Sequence, residues 1–361
     1  MTSRMPELVS KVLSNPESVL GLEPAEWDVL IRQARRALLL PRICAMLEKR
    51  GLLNRVPAGP LAHLEAGRVI ADKQSQAIRW EVSRIQEALS EVGEPVILLK
   101  GAAYVMAELD VARGRIFSDV DILVSKDKLN HAEAALMLHG WAATQHDAYD
   151  QRYYRTWMHE LPPMMHMKRQ TVIDVHHAIL PETARLHPDP AKLRAAAQPL
   201  AGHPGVHVLA PADMILHSAT HLFHDGELEH GLRDLADLDS LLRHFSGGQD
   251  GFWQHLAERA HELDLARPLY YALRYTRRIL HTPVPDAALE MAGAGRPSRL
   301  LEVFMDALFM RALRPDHASC ADFFTPAARW LLYVRSHWLR MPLPLLLRHL
   351  LHKAVVSPKA E

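Results

Sequence analysis

Two aspartates stand where a buried strand tolerates none. The stretch "GRIFSDVDILV" is an apolar run of strand character, yet it carries Asp119 and Asp121 one residue apart. Side chains alternate between the faces of a strand, so these carboxylates project together while Val120, Ile122 and Val124 point the other way. Carboxylates in apolar surroundings are costly unless they are paired, hydrogen-bonded or bound to a cation. Mg²⁺ suits such a pair, because one or two carboxylates, waters and substrate phosphates complete its shell. The plainer reading is two strand-end aspartates hydrogen-bonded to a loop.

A second apolar strand run, "TVIDVHHAI", carries a third acid, Asp174, and a third run, "EPVILLKG", is bounded by Pro95 and Gly101. If the two acid-bearing strands are neighbours, Asp174 joins Asp119 and Asp121 in the layout of two-metal phosphoryl or nucleotidyl transfer. Helical segments separate the runs, "AAYVMAEL" after the first and "KDKLNHAEAALMLHG" after the second. Before them, "PAEWDVLIRQARRALLLPRICAMLEKRG" reads as two helices parted or kinked at Pro41, with a third running from about residue 60 to Gly93. After them, "PADMILHSATHLFHDGELEHGLRDLADLDSLLRHF", "FWQHLAERAHEL" and "ARPLYYALRYTRRIL" are helical. The expected fold class is α+β: a small mixed sheet core over residues 92–182, an N-terminal helical segment over 1–91 and a C-terminal helical domain over 183–361.

Composition narrows the function classes. Lys plus Arg and Asp plus Glu number 42 each, so no global field steers polyanions and no nucleic-acid patch is evident. Hydrophobic residues at 48% and charged residues at 23% describe a folded chain rather than a disordered one. Cys44 and Cys320 form neither a disulfide framework nor a thiolate zinc site. The first residues lack the apolar core of a signal peptide and no window approaches a membrane span, so a cytoplasmic location is the expectation.

Around the acids, Lys100 and Gly101 in "LLKGAAY" read as a phosphate cradle, where a strand turning directly into a helix presents backbone N–H groups to an anion. Arg115 and Ser118 precede Asp119 and are placed to contact a triphosphate, although a surface ion pair explains Arg115 equally. "LLKGAAY", Arg115 followed by "IFSDVDILV", and "VIDVHH", in that order and between helical flanks, resemble the uncharacterised nucleotidyltransferase-like family of the DNA polymerase β superfamily. The superfamily's usual Gly followed by Gly or Ser is here Gly101 followed by Ala102, which removes a hydroxyl that often contacts a phosphate. The resemblance implies a nucleotidyltransferase core that binds a nucleoside triphosphate with Mg²⁺, or with Mn²⁺, and transfers a nucleoside monophosphate to a small-molecule, sugar or protein acceptor. It implies that Asp119 and Asp121 ligate both metals, that Asp174 ligates the catalytic metal and assists deprotonation of the acceptor hydroxyl, and that His176 supports them from behind.

Competing readings lie further along the chain. His217, His221 and His224 fall on one helical face with Asp225 adjacent, and Asp234 and Asp237 follow, a set from which a metal phosphohydrolase could be built. A non-catalytic nucleotide-binding or regulatory protein on the same fold is the other alternative. The run "RSHWLRMPLPLLLRHLLHKAV" is basic and apolar, which suits a packed terminal helix or a partner or membrane-surface contact.

Overall fold

The computed structural model describes residues 7–144, 148–226, 228–248, 250–344 and 346. Four helices lead in: α1 (Leu8–Ser14), α2 (Pro24–Arg36), α3 (Leu40–Lys49) and the 31-residue α4 (Ala58–Ala88). Helix α2 starts at Pro24 within a reciprocal capping box between Glu23 and Glu26. Pro41 sits in the first turn of α3, where its missing N–H costs nothing, so it starts a helix rather than kinking one.

The period then changes. Strand β1 (Val96–Leu98) is buried throughout and passes through Leu99 into α5 (Lys100–Met106). Next come β2 (Asp119–Leu123), α6 (Leu129–Leu138), β3 (Trp141–Ala143), α7 (Ala148–Trp157), β4 (Met164–His166) and β5 (Val172–His176). After α8 (Pro190–Ala196) the chain returns to the sheet as β6 (Gln198–Pro199) and β7 (Val206–Val208). The strands form one sheet in the order β3-β4-β5-β2-β1-β7-β6. It is mixed: β2 runs parallel to β5 and antiparallel to β1, while β7 joins β1 in parallel.

The α+β class with helical flanks is as expected, and the sheet is wider than the three runs suggest. Strands β3, β4, β6 and β7 span only two or three residues each, too few for a period of two to stand out from loop. Two of them lie past residue 182, in the stretch the sequence reads as helical.

Seven helices complete the described chain: α9 (Pro211–Thr220), α10 (Gly231–Ser246), α11 (Phe252–Glu262), α12 (Ala266–Leu280), α13 (Asp286–Met291), α14 (Arg299–Ala312) and α15 (Thr325–Arg340). A hydrophobic core runs continuously from Leu8 to Leu332, through sheet and flanking helices alike. Helix α5 packs on β2, α4 and α9, and the buried Tyr104 hydroxyl meets Ser218 Oγ at 2.6 Å, fixing the two helices that face the acid strands. No described helix is long and apolar enough to cross a membrane. The basic, apolar C-terminal run is described only as far as Pro344, plus Leu346; its remainder lies outside the described residues.

Candidate active site

The parallel pairing of β2 with β5 sets Asp121 directly opposite Asp174, and Leu123 opposite His176. On the reverse face Val120, Ile122, Ile173 and Val175 are all at most 2% exposed. That apolar face fixes the register, because a one-residue slip would turn the acids onto the apolar face and the valines and isoleucines into the cleft. The acids line a cleft of 460 Å³, bounded also by Lys100, Gly101, Arg115, Ser118 and His176. The residues expected of a nucleotidyltransferase site, Lys100, Gly101, Arg115, Ser118, Asp119, Asp121, Asp174 and His176, all line this one cleft.

The charges there are unevenly settled. Burial opposes ionisation of Asp121, yet the charge of Lys100 and the hydrogen bond from His176 hold its carboxyl well below the usual range. Asp119 is pushed up, first by burial and then by the charge of Asp121, against a hydrogen bond from Ser118. Asp174 is pushed up to about 7 by burial, with the charges of Asp121 and Glu160 adding to it. Its Oδ1 is buried without a hydrogen-bond partner.

Gly101 and Arg115 are one device. A Cβ on Gly101 would lie 2.5 Å from Arg115 Nη1 and 2.8 Å from Phe117 Cδ1, so only glycine lets the guanidinium lie across the start of α5. Arg115 donates from Nε to Asp237 Oδ2 at 2.8 Å and stacks over Phe117 at 5.1 Å. Arg115 thus lies at the cleft and in an ion pair at once, and the pair is buried rather than the surface pair the sequence allowed. The preceding Lys100 has φ of 40°, a left-handed conformation that a non-glycine residue adopts at a cost, at the turn that carries its side chain into the cleft.

His176 is buried between two carboxylates, with Nε2 3.1 Å from Asp121 Oδ1 and Nδ1 3.1 Å from Glu160 Oε2. Burial lowers its basicity, but the bond to Asp121 and the charge of Glu160 outweigh that and raise it above the ordinary histidine value. Glu160 and its neighbour His159 escape the sequence reading. They follow α7 in an irregular Tyr- and Met-rich stretch, and only an isolated antiparallel bridge between Glu160 and His176 brings them to the site. Among the described residues, the group of His, Cys, Asp or Glu that offers three ligand atoms all within 4.8 Å of one another is His159, Glu160 and His176, not the three aspartates.

The histidine stripe dissolves. Helix α9 gives way at His221 to a π-helical turn, His221–Asp225, whose wider winding takes His224 out of line with His217 and His221. His221 lines the cleft, its Nδ1 3.9 Å from Asp234 Oδ2. His217 is buried, and burial together with the charge of Lys100 holds it neutral, while His224 is 2% exposed. The side chain of Asp225 lies outside the described residues. Asp237 is the partner of Arg42 and Arg115 rather than a free ligand, and Arg233 donates to Asp234 at 2.9 Å. The phosphohydrolase set is therefore not assembled among the described residues.

Fold and cleft together define an α+β protein with paired carboxylates on adjacent central strands. Comparison with known proteins agrees with that description: residues 23–281 match the family described as uncharacterised nucleotidyltransferase. The chain belongs to this family. No curated protein matches it. Among solved structures, the crystal structure of JHP933 from Helicobacter pylori aligns over 79% of this chain and 98% of its own, at 12% identity and a TM-score of 0.32, a likeness too slight to carry an argument.

Proposed function

We propose that the chain is a nucleotidyltransferase that takes a nucleoside triphosphate as donor and moves the nucleoside monophosphate onto an acceptor hydroxyl. The observation that carries this reading is the pairing of Asp121 with Asp174 across parallel strands, with one oxygen of Asp174 buried and unsatisfied, in a cleft that also presents Lys100 and Arg115.

The residues fit a divalent cation. Asp174 Oδ1 has no protein donor, and both Asp119 and Asp174 are held toward their neutral forms by burial and by neighbouring negative charge, which a cation would offset. The acids are not drawn to a single point, and Mg²⁺ accepts that, since it keeps several waters and takes few carboxylates. Asp119, Asp121 and Asp174 would hold Mg²⁺ or Mn²⁺, which would neutralise triphosphate charge and lower the pKa of the acceptor hydroxyl.

The remaining work falls to the chain itself. Lys100 and Arg115 supply positive charge to the phosphates, Lys100 as a point charge and Arg115 as a fork whose Nε is already fixed by Asp237. Ser118 hydrogen-bonds Asp119 and steadies it at the cleft edge. His176 anchors Asp121 and keeps it ionised. The Asp174 carboxylate assists removal of the proton that the acceptor hydroxyl releases as it attacks the α-phosphorus and pyrophosphate departs. Pyrophosphate release from each of the four ribonucleoside triphosphates with Mg²⁺ tests the reading. The native chain should release it from at least one, and Asp174→Asn should lower the rate by about 10³-fold, roughly 4 kcal/mol of barrier. Equal rates in the two proteins would defeat the proposal.

A further inference from the structure

One wall of the cleft carries ligands of a different chemical kind. Residues 159–161 run antiparallel beside β5: His177 N donates to His159 O at 2.8 Å, and Leu161 N donates to Val175 O at 2.9 Å. This backbone pairing places Glu160 across from His176 and brings one ligand atom each from His159, Glu160 and His176 within 4.8 Å of one another. The two imidazole rings stand 5.3 Å apart, tilted by 30°.

The separation of 3.1 Å between His176 Nδ1 and Glu160 Oε2 suits a hydrogen bond. It also suits two ligands of one ion, since ligands held at about 2.0–2.1 Å in a tetrahedron lie roughly 3.3 Å apart. A hydrogen-bonded pair has no use for a third ligand atom, and His159 supplies one. The other nitrogen of His176 faces Asp121 Oδ1 at 3.1 Å, the carboxylate behind an imidazole that orients metal-binding histidines and raises their basicity.

We propose that His159, Glu160 and His176 form a three-ligand site for a divalent transition ion of the Zn²⁺ type, leaving a coordination position for water or a substrate oxygen. Two imidazoles and one carboxylate favour such an ion over Mg²⁺, which prefers an all-oxygen shell. All three residues line the same cleft as Asp174. The site rests on its own ligands and on no property of Asp119 or Asp174, so it stands or falls separately from the transferase reading.

The test uses the full chain, stripped of metal with a chelator and titrated with Zn²⁺ against a chromophoric competitor. Native protein should bind one tight equivalent. His159→Ala and Glu160→Gln should each weaken it by about 100-fold or more, while Asp119→Asn/Asp174→Asn should retain it. The chain has 23 histidines, so binding that is equal in all variants would mean adventitious surface histidines only and would overturn the proposal. Loss confined to the aspartate variant would overturn it too, by locating the ion among the acids. X-ray absorption at the zinc edge of the native protein covers the case in which a ligand variant fails to fold: two imidazole shells support the site, and an all-oxygen shell contradicts it.

Discussion

Two clusters of charge border the same cleft and are treated in opposite ways. In one, Asp237 is 3% exposed and both of its oxygens are taken: Arg42 Nη2 donates to Oδ1 and Arg115 Nε to Oδ2. Arg42 also donates to the Val111 carbonyl at 2.8 Å. In the other, Lys100 and His176 settle Asp121, Asp119 and Asp174 are pushed toward the neutral form, and Asp174 keeps a buried oxygen without a donor. A buried carboxylate whose two oxygens the chain pairs by itself holds the fold; a buried carboxyl oxygen left without a donor is a candidate position for a ligand.

The sharpest way to break this contrast is Asp237→Ala, which strands two buried guanidinium groups. It should cost about 3–5 kcal/mol, read as a lower midpoint in urea unfolding. A loss within the ±0.5 kcal/mol or so typical of surface changes would mean that the cluster is not structural.

The opposite sign is expected across the cleft. In the metal-free folded protein Asp174 keeps its proton up to about pH 7, whereas the ordinary carboxyl value is 3.8. The stability tied to that proton is fully present below the ordinary value of 3.8, declines as pH rises above it, and is gone once pH has passed about 7. Asp174→Asn stays neutral throughout, so at pH 8 it should be more stable than the native protein by about 1–3 kcal/mol, and the gain should vanish near pH 4. Denaturant titrations at both pH values check this. A destabilised variant at pH 8 would remove the idea that Asp174 is left wanting a partner.

A smaller effect probes the seam between the clusters. Gly101→Ala forces a methyl against Arg115 Nη1 and Phe117 and should cost about 1–2 kcal/mol. The same change should weaken triphosphate affinity, because the guanidinium must leave its place over α5. Unaltered stability and affinity together would show that the close approach is not needed.

The acid half of this contrast was legible in the sequence because a carboxylate inside an apolar strand is conspicuous within a few residues, as at Asp119, Asp121 and Asp174. Lys100, Gly101, Arg115 and Ser118 could be added from their positions next to those strands. Asp237 was not legible as a counter-ion: its partners Arg42 and Arg115 lie 195 and 122 residues away in sequence, and a helix acid looks the same whether or not it has them. Glu160 and His159 were hidden for a related reason, since a single bridge to β5 gives them their neighbours. The histidine stripe misled because helical spacing was extended through a segment that winds as a π-turn.

The most direct measurement is calorimetry of nucleoside triphosphate binding, with and without Mg²⁺, on the native chain and on Asp119→Asn/Asp121→Asn. Binding that requires Mg²⁺ in the native protein and weakens at least about 10-fold in the variant, some 1.4 kcal/mol, is the expected result. Binding that is absent, or the same in both proteins and indifferent to Mg²⁺, would contradict the claim that the strand acids form a nucleotide site.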